Sequence, residues 1–386
     1  VEGIPVLFNK DKTVVRYVFG ALNDETVKLA ADIDEISDNA YAGQTEITTV
    51  VIPKGISKIG VGAFRNCTNL TTVIFEDGCV KLTELPAELF AGCSSLKKIT
   101  LPVNATVVGK NAFAGCSSLE EVAMPGVEEI SESAFENSGL KKFDIPANIY
   151  AVGKNAFKNS ALTEISLGSV KTIGAGAFEG TEITSVTIPE SVTLMGAGAF
   201  RSCNELKNVR FRTTSLRVVD DYMFYDCISL ESIALPEGVT RLGGYAFMNC
   251  EKLSDVELPS TLEMIAVDCD LDDTSEVNYG YTFANCTALK SIDLPDKLSY
   301  LGSFAFLNSG LVSIELPDAL VNLTARNEAL DLYEEYENDF RYWEVYYPEY
   351  ETGDESSSWN YFAGQFAYCQ NLERIVLSSR LENIGS

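Results

Sequence analysis

Histidine is absent from this 386-residue chain. Its absence removes the commonest general base and zinc ligand, and with them every Ser-His or Cys-His catalytic arrangement. Positive charge is scarce: 29 Lys and Arg stand against 56 Asp and Glu, for a net charge of −27 and a pI near 4.3. So acidic a surface repels phosphate backbones and anionic membranes, which sets nucleic acid aside as a partner. No apolar run reaches the roughly 18 residues of a spanning helix, so membrane insertion is not expected. No pattern in the chain asks for a cofactor. Paired carboxylates could still serve a glycosidase, but that chemistry needs two carboxyls about 5–10 Å apart in a cleft. No segment reads as a cleft-building domain, and the chain is read as non-enzymatic.

What the chain has instead is repetition. An apolar strand, a turn and an Ala-Phe step recur, with the aromatic at Phe64, Phe90, Phe113, Phe135, Phe157, Phe178, Phe200, Phe224, Phe247, Phe283, Phe306 and Phe366, and Tyr41 as an imperfect first member. Most intervals are 21 to 26 residues. A unit this short cannot bury its apolar face alone and must stack on its neighbours, which defines a solenoid. Leu-x-x-Ile-x-Leu-Pro reads as a short strand of period-two alternation closed by proline, which cannot donate to a ladder. Val-x-x-Ile-Gly then turns the chain back, its glycines (Gly60, Gly109, Gly153, Gly174, Gly196, Gly243, Gly302) suited to a tight or left-handed turn. About thirteen parallel strands at about 4.8 Å each give a spine of roughly 60 Å.

Ten cysteines would suggest a disulfide framework, were they not placed by the repeat. Eight of them (Cys67, Cys93, Cys116, Cys203, Cys227, Cys250, Cys286, Cys369) follow the repeat aromatic by three residues, where other copies carry Ser138, Ser160, Thr181 or Ser309. A small side chain at a buried turn accounts for that interchange, since a free Cys behaves as a small hydrophobe. Parallel coils would also bring Cα atoms within disulfide range, so bridges between coils are the competing reading. Free buried thiols are expected. Cys79 and Cys269 fall off the pattern.

The phrase L-x-x-I-x-L-P-x-x-(V/L)-x-x-I-G-x-x-A-F-x-x-C resembles the BspA-like leucine-rich repeat of bacterial surface and secreted antigens. The resemblance implies an α/β-type repeat solenoid: a right-handed leucine-rich-repeat superhelix of β and turn with little helix. It also implies a place outside the cell or on a bacterial surface, and a role in adhesion or in binding a host or envelope protein. Residues 33–386 are read as the solenoid and 1–32 as an N-terminal cap, in which Thr13–Phe19 alternates like an edge strand. The chain opens at Val1 without a leader, as a mature or trimmed form would, and stops at Ser386 halfway through a unit.

Two stretches break the period, at about 266–280 and 326–362. In a solenoid such insertions map to loops, often on a binding face. The first contains Asp268, Asp270 and Asp272, spaced like the start of an EF-hand loop. Asp273 stands where that loop needs glycine and Tyr279 where it needs glutamate, so the set is only a weak calcium candidate. The second holds Tyr342, Trp343, Tyr346, Tyr347 and Trp359, residue types enriched at binding hot spots. Strand positions flanking the central Ile should line the concave face. They are mild early in the chain (Thr49, Val51, Thr72, Ile74, Lys98, Thr100) and acidic later (Asp255, Glu257, Asp293, Glu315). These four acids and the five aromatics form the candidate site, on a chain expected to be a monomer. The expected partner is a protein, with a glycan, held for a surface carbohydrate-uptake system, as the alternative.

Overall fold

Most described repeats close as one coil carrying two short strands, and within each ladder a strand pairs in parallel with its counterpart in the next coil. The computed structural model describes residues 6–18, 25–265, 280–302, 304–320, 322–323, 365–366, 368–377, 379–381 and 383–384. Among these there is no helix, so none is long and apolar enough to cross a membrane.

The first sheet is built from the Leu-x-x-Ile-x-Leu segments. Thr26–Lys28, Thr49–Ile52, Thr72–Phe75, Lys98–Thr100 and Glu121–Ala123 form one ladder, and Lys142–Asp144 with Glu164–Ser166 a second. Ser185–Ile188, Asn208–Phe211, Ser232–Ala234 and Asp255–Glu257 form a third, and Ser313–Glu315 with Arg374–Val376 a fourth. The spine is therefore a row of ladders rather than one continuous sheet, and residues 291–294 complete their coil with no strand. Pairing starts at Thr26–Lys28, inside the stretch read as the cap. Alternation does the sorting: Val50, Val73, Ile99, Val122 and Val186 point inward and are buried, while their neighbours face out. Where proline closes a strand it accepts rather than donates, as when the Pro102 carbonyl takes the Ala105 N–H at 3.0 Å.

The segment expected only to turn the chain back forms a second parallel sheet. It uses two residues per coil, from Glu84–Leu85 through Val107–Val108, Glu129–Ile130, Ala151–Val152 and Thr172–Ile173 to Leu194–Met195. The glycines that follow do not need a left-handed backbone. They allow close approach, since a Cβ on Gly109 would stand 2.5 Å from the Leu85 carbonyl oxygen of the preceding coil. Left-handed geometry falls two residues later, at Gly62, Gly176 and Gly198. The Val14–Val18 strand is not an edge. It pairs antiparallel with Val6–Phe8 and parallel with Glu35–Ile36, so the hairpin extends the second sheet over the first coil.

Between the sheets runs a column of aromatic rings. Tyr41 and the twelve repeat phenylalanines stack in sequence with centroids 5.1–5.9 Å apart. The column passes both long intervals unbroken, with Phe247–Phe283 at 5.2 Å and Phe306–Phe366 at 5.7 Å. Neither insertion costs the core its register. Nine cysteines (all but Cys269, outside the described residues) are free thiols, and all of them but Cys369 are buried. Each of the eight repeat thiols donates to a carbonyl of the preceding coil: Cys67 to Tyr41, Cys116 to Phe90, Cys203 to Phe178 and Cys286 to Phe247, at 3.1–3.2 Å. The buried hydroxyls of Ser138 and Ser160, at the same position in shorter coils, find no partner.

Candidate functional site

The residues flanking the central strand position project from the outer face of the first sheet, and Asp255, Glu257, Asp293 and Glu315 are all exposed there. Glu257 follows the buried Val256, Asp293 the buried Ile292 and Glu315 the buried Ile314. These belong to three successive coils, linked by Ala288 N–H to Glu251 carbonyl and Val312 N–H to Lys290 carbonyl bonds. The repeat thus sets three carboxylates in one column at a coil rise of about 4.8 Å, with Asp255 beside its first member. Like charges opposed on neighbouring strands are destabilising. Among the described residues no ion pair involves any of the four.

Earlier coils treat charge differently. On the same face Lys98 meets Glu121 at 2.7 Å and Lys142 meets Glu164 at 2.7 Å, each pair in direct cross-strand register. Donation to the Glu121 carboxylate raises the pKa of the exposed Lys98 ammonium. Lys58–Glu35, Arg65–Glu88, Lys110–Glu132 and Lys158–Glu179 also join coil to coil. Part of the charge of the first half is thus spent on joining coils.

Burial sets the chemistry of the thiols. Desolvation pushes Cys116 up to about 12 and Cys203 up to about 11, and holds Cys227, Cys250 and Cys286 above the ordinary thiol range. Cys93 is raised by its hydrogen bond with Cys67 and by burial. None of these is a nucleophile near neutral pH. Among the described residues no group of acids and thiols converges on a point that a metal could occupy. Asp268, Asp270 and Asp272 lie outside the described residues, as do Tyr342, Trp343, Tyr346, Tyr347 and Trp359.

A second aromatic column escaped the sequence reading. Tyr222, Tyr245, Tyr281 and Phe304 occupy the left-handed turn position that Gly62, Gly176 and Gly198 fill elsewhere, with φ of 56°, 58°, 30° and 56°. Their half-buried rings stack at 4.7, 5.2 and 5.1 Å. The Arg201 guanidinium lies 5.4 Å from the Tyr222 centroid and 5.0 Å from that of Tyr225. Bulky residues in this region carry strain, which stacking and the cation offset here. The signal was available: aromatics stand two residues before Phe only from Phe224 onward.

Two parallel sheets, a coil of leucine-rich-repeat length and a shared ring column define a leucine-rich-repeat solenoid. The chain belongs to the BspA type leucine-rich repeat family: the model of the BspA type leucine rich repeat region matches residues 34–164, 83–205, 171–271 and 271–327. A leucine-rich repeat protein from Bacteroides ovatus shares this fold at 23% identity and a TM-score of 0.64, over 88% of this chain and 97% of that one. The pneumococcal vaccine antigen PcpA aligns at 19% identity and 0.52, over 83% and 81%. A leucine-rich repeat protein from Eubacterium ventriosum aligns at 22% and 0.50, over 81% and 94%. No curated protein matches the sequence.

Proposed function

We propose that this protein is a non-enzymatic recognition protein, extracellular or on a bacterial surface, whose carboxyl-terminal spine face binds a cationic protein. The observation that carries the reading is the Glu257, Asp293 and Glu315 column, three exposed acids aligned by the repeat with no ion pair among the described residues. A fold that pairs Lys with Glu across its earlier strands leaves these charges for something else. The family resemblance supports a surface role, and one relative of the same fold is a vaccine antigen. Buried, hard-to-ionise thiols are also suited to an oxidising setting. Trp343 and Trp359 are kept as a second set of contacts on sequence grounds. The glycan-uptake alternative rests on residues 326–362 alone, and so stands second.

The test is a screen of purified basic surface and matrix proteins against the wild type and the Glu257→Lys/Glu315→Lys variant. Charge reversal should slow association and flatten its salt dependence, with a smaller change in dissociation. Equal association rates for the two proteins at low salt would remove the acidic column from the interface. A deletion of 326–362 that still folds and binds with unchanged affinity would assign that insertion a structural role.

A further inference from the structure

The second and third ladders of the spine do not join. Glu164–Ser166 and Ser185–Ile188 belong to adjacent coils but to different sheets. At this break lies a surface cavity of about 390 Å³, within the range of about 300–1,000 Å³ typical of small-ligand sites. Ile165, whose counterparts Val122, Phe143 and Val186 are buried, is only partly covered there and forms the floor with Pro189. Ser166, Ser185 and Thr187 line the wall with hydroxyls, and Arg212 stands at the rim. Arg212 is held in place by its own backbone, whose N–H donates to the Ile188 carbonyl at 2.9 Å.

Charge beside this cavity is mixed: Asp144 stands in register with Ser166 and Glu190 follows Pro189, while the next coil is basic. Residues 206–219 hold Lys207, Arg210, Arg212 and Arg217 and no acid, in a chain with 56 acids to 29 bases. Arg217 is committed to the Thr214 and Gly238 carbonyls. Arg210 is exposed and in register with Thr187 of the cavity wall, and neither it nor Arg212 has an ion pair among the described residues. Two free guanidiniums beside three hydroxyls and a small apolar floor match one chemistry. A guanidinium takes a carboxylate in bidentate fashion. Hydroxyls that both donate and accept suit a polyol, and a proline ring beside an isoleucine suits the C–H face of a pyranose. We propose that this cavity is a binding site for a carboxylate-bearing sugar, such as a uronic acid unit of an acidic glycan. The site lies apart from the acidic column and stands or falls independently of it.

The experiment is a titration of the full chain, by calorimetry or saturation-transfer NMR, with glucuronate, glucose and acetate as separate probes. Glucuronate should bind saturably and about tenfold or more tightly than either glucose or acetate, because it alone uses both the cation and the hydroxyl wall. Arg212→Gln, at an exposed position, should weaken glucuronate by about tenfold, and Ser185→Ala by a smaller factor. Acetate binding as well as glucuronate would show an anion site without sugar recognition and overturn the proposal. So would glucose binding equally well, Arg212→Gln leaving glucuronate unchanged, or no saturable binding of glucuronate.

Discussion

The two halves of this solenoid share a core and differ in what their outer faces do with charge. From Asp34 to Glu179, lysines and arginines of one coil meet acids of another, as Lys98 meets Glu121 and Lys142 meets Glu164. Beyond that point Lys207, Arg210, Arg212 and Arg217 cluster within 206–219, and Glu257, Asp293 and Glu315 line up with no ion pair among the described residues. Below both faces the ring column is uniform, at 5.3 Å for Phe135–Phe157 and 5.2 Å for Phe247–Phe283. A repeat fold is stabilised by interactions between nearest neighbours inside, which leaves the outward positions of each coil available for other uses. On the proposed function, segregated charge on an even scaffold would separate folding from recognition.

If the core is even, truncating it should cost the same in either half. Phe157→Ala and Phe283→Ala should each lose about 3–5 kcal/mol, with hydrogen exchange accelerated in the adjacent coils and little beyond. A markedly cheaper Phe283→Ala would mean that the core loosens where the first insertion interrupts the repeat.

Alkali should divide the chain along a different line. The buried thiols have folded pKa values above those of the unfolded chain, so their stabilising contribution is complete below about pH 9 and is lost as pH rises towards the folded values. For Cys203 and Cys116 that window runs from about 9 up to about 11 and about 12. Each thiol that ionises only on unfolding should remove about 1.4 kcal/mol per pH unit within it. The coils holding Ser138, Ser160 and Thr181 have no repeat thiol, so exchange corrected for its intrinsic pH dependence should rise around Cys93–Cys116 and Cys203–Cys286 before it rises at 138–181. Uniform loss along the chain would contradict that local account.

Much of this was legible in the sequence because the repeat states it many times over. Thirteen aromatics at one phase give the ring column, and eight cysteines at Phe plus three give free thiols rather than bridges, seven of them buried. The second sheet was missed because a strand of two residues, such as Val107–Val108, is too short to show alternation. The role of Gly109 was misread because composition distinguishes a left-handed turn from a close approach only when the neighbouring coil is in view. Tyr222, Tyr245 and Tyr281 went unnoticed because an aromatic in a left-handed turn runs against local preference and is revealed by its stacking partners. The acidic positions were readable one by one; their alignment into a column depends on coil register across the insertion between Ile265 and Gly280.

The contrast between the halves is tested most directly by denaturant midpoints of two charge reversals, Asp293→Lys and Lys142→Glu, at low salt and at about 1 M salt, where screening shrinks the Debye length to about 3 Å. Lys142→Glu places an acid opposite Glu164 and should lower stability, by about 0.5 kcal/mol. Asp293→Lys places a cation between Glu257 and Glu315 and should raise stability by a similar amount, about 0.5 kcal/mol. Both changes should shrink at high salt. Destabilisation by Asp293→Lys at low salt would show that the column serves the fold after all, and the acidic face would lose its claim to be a surface kept for a partner.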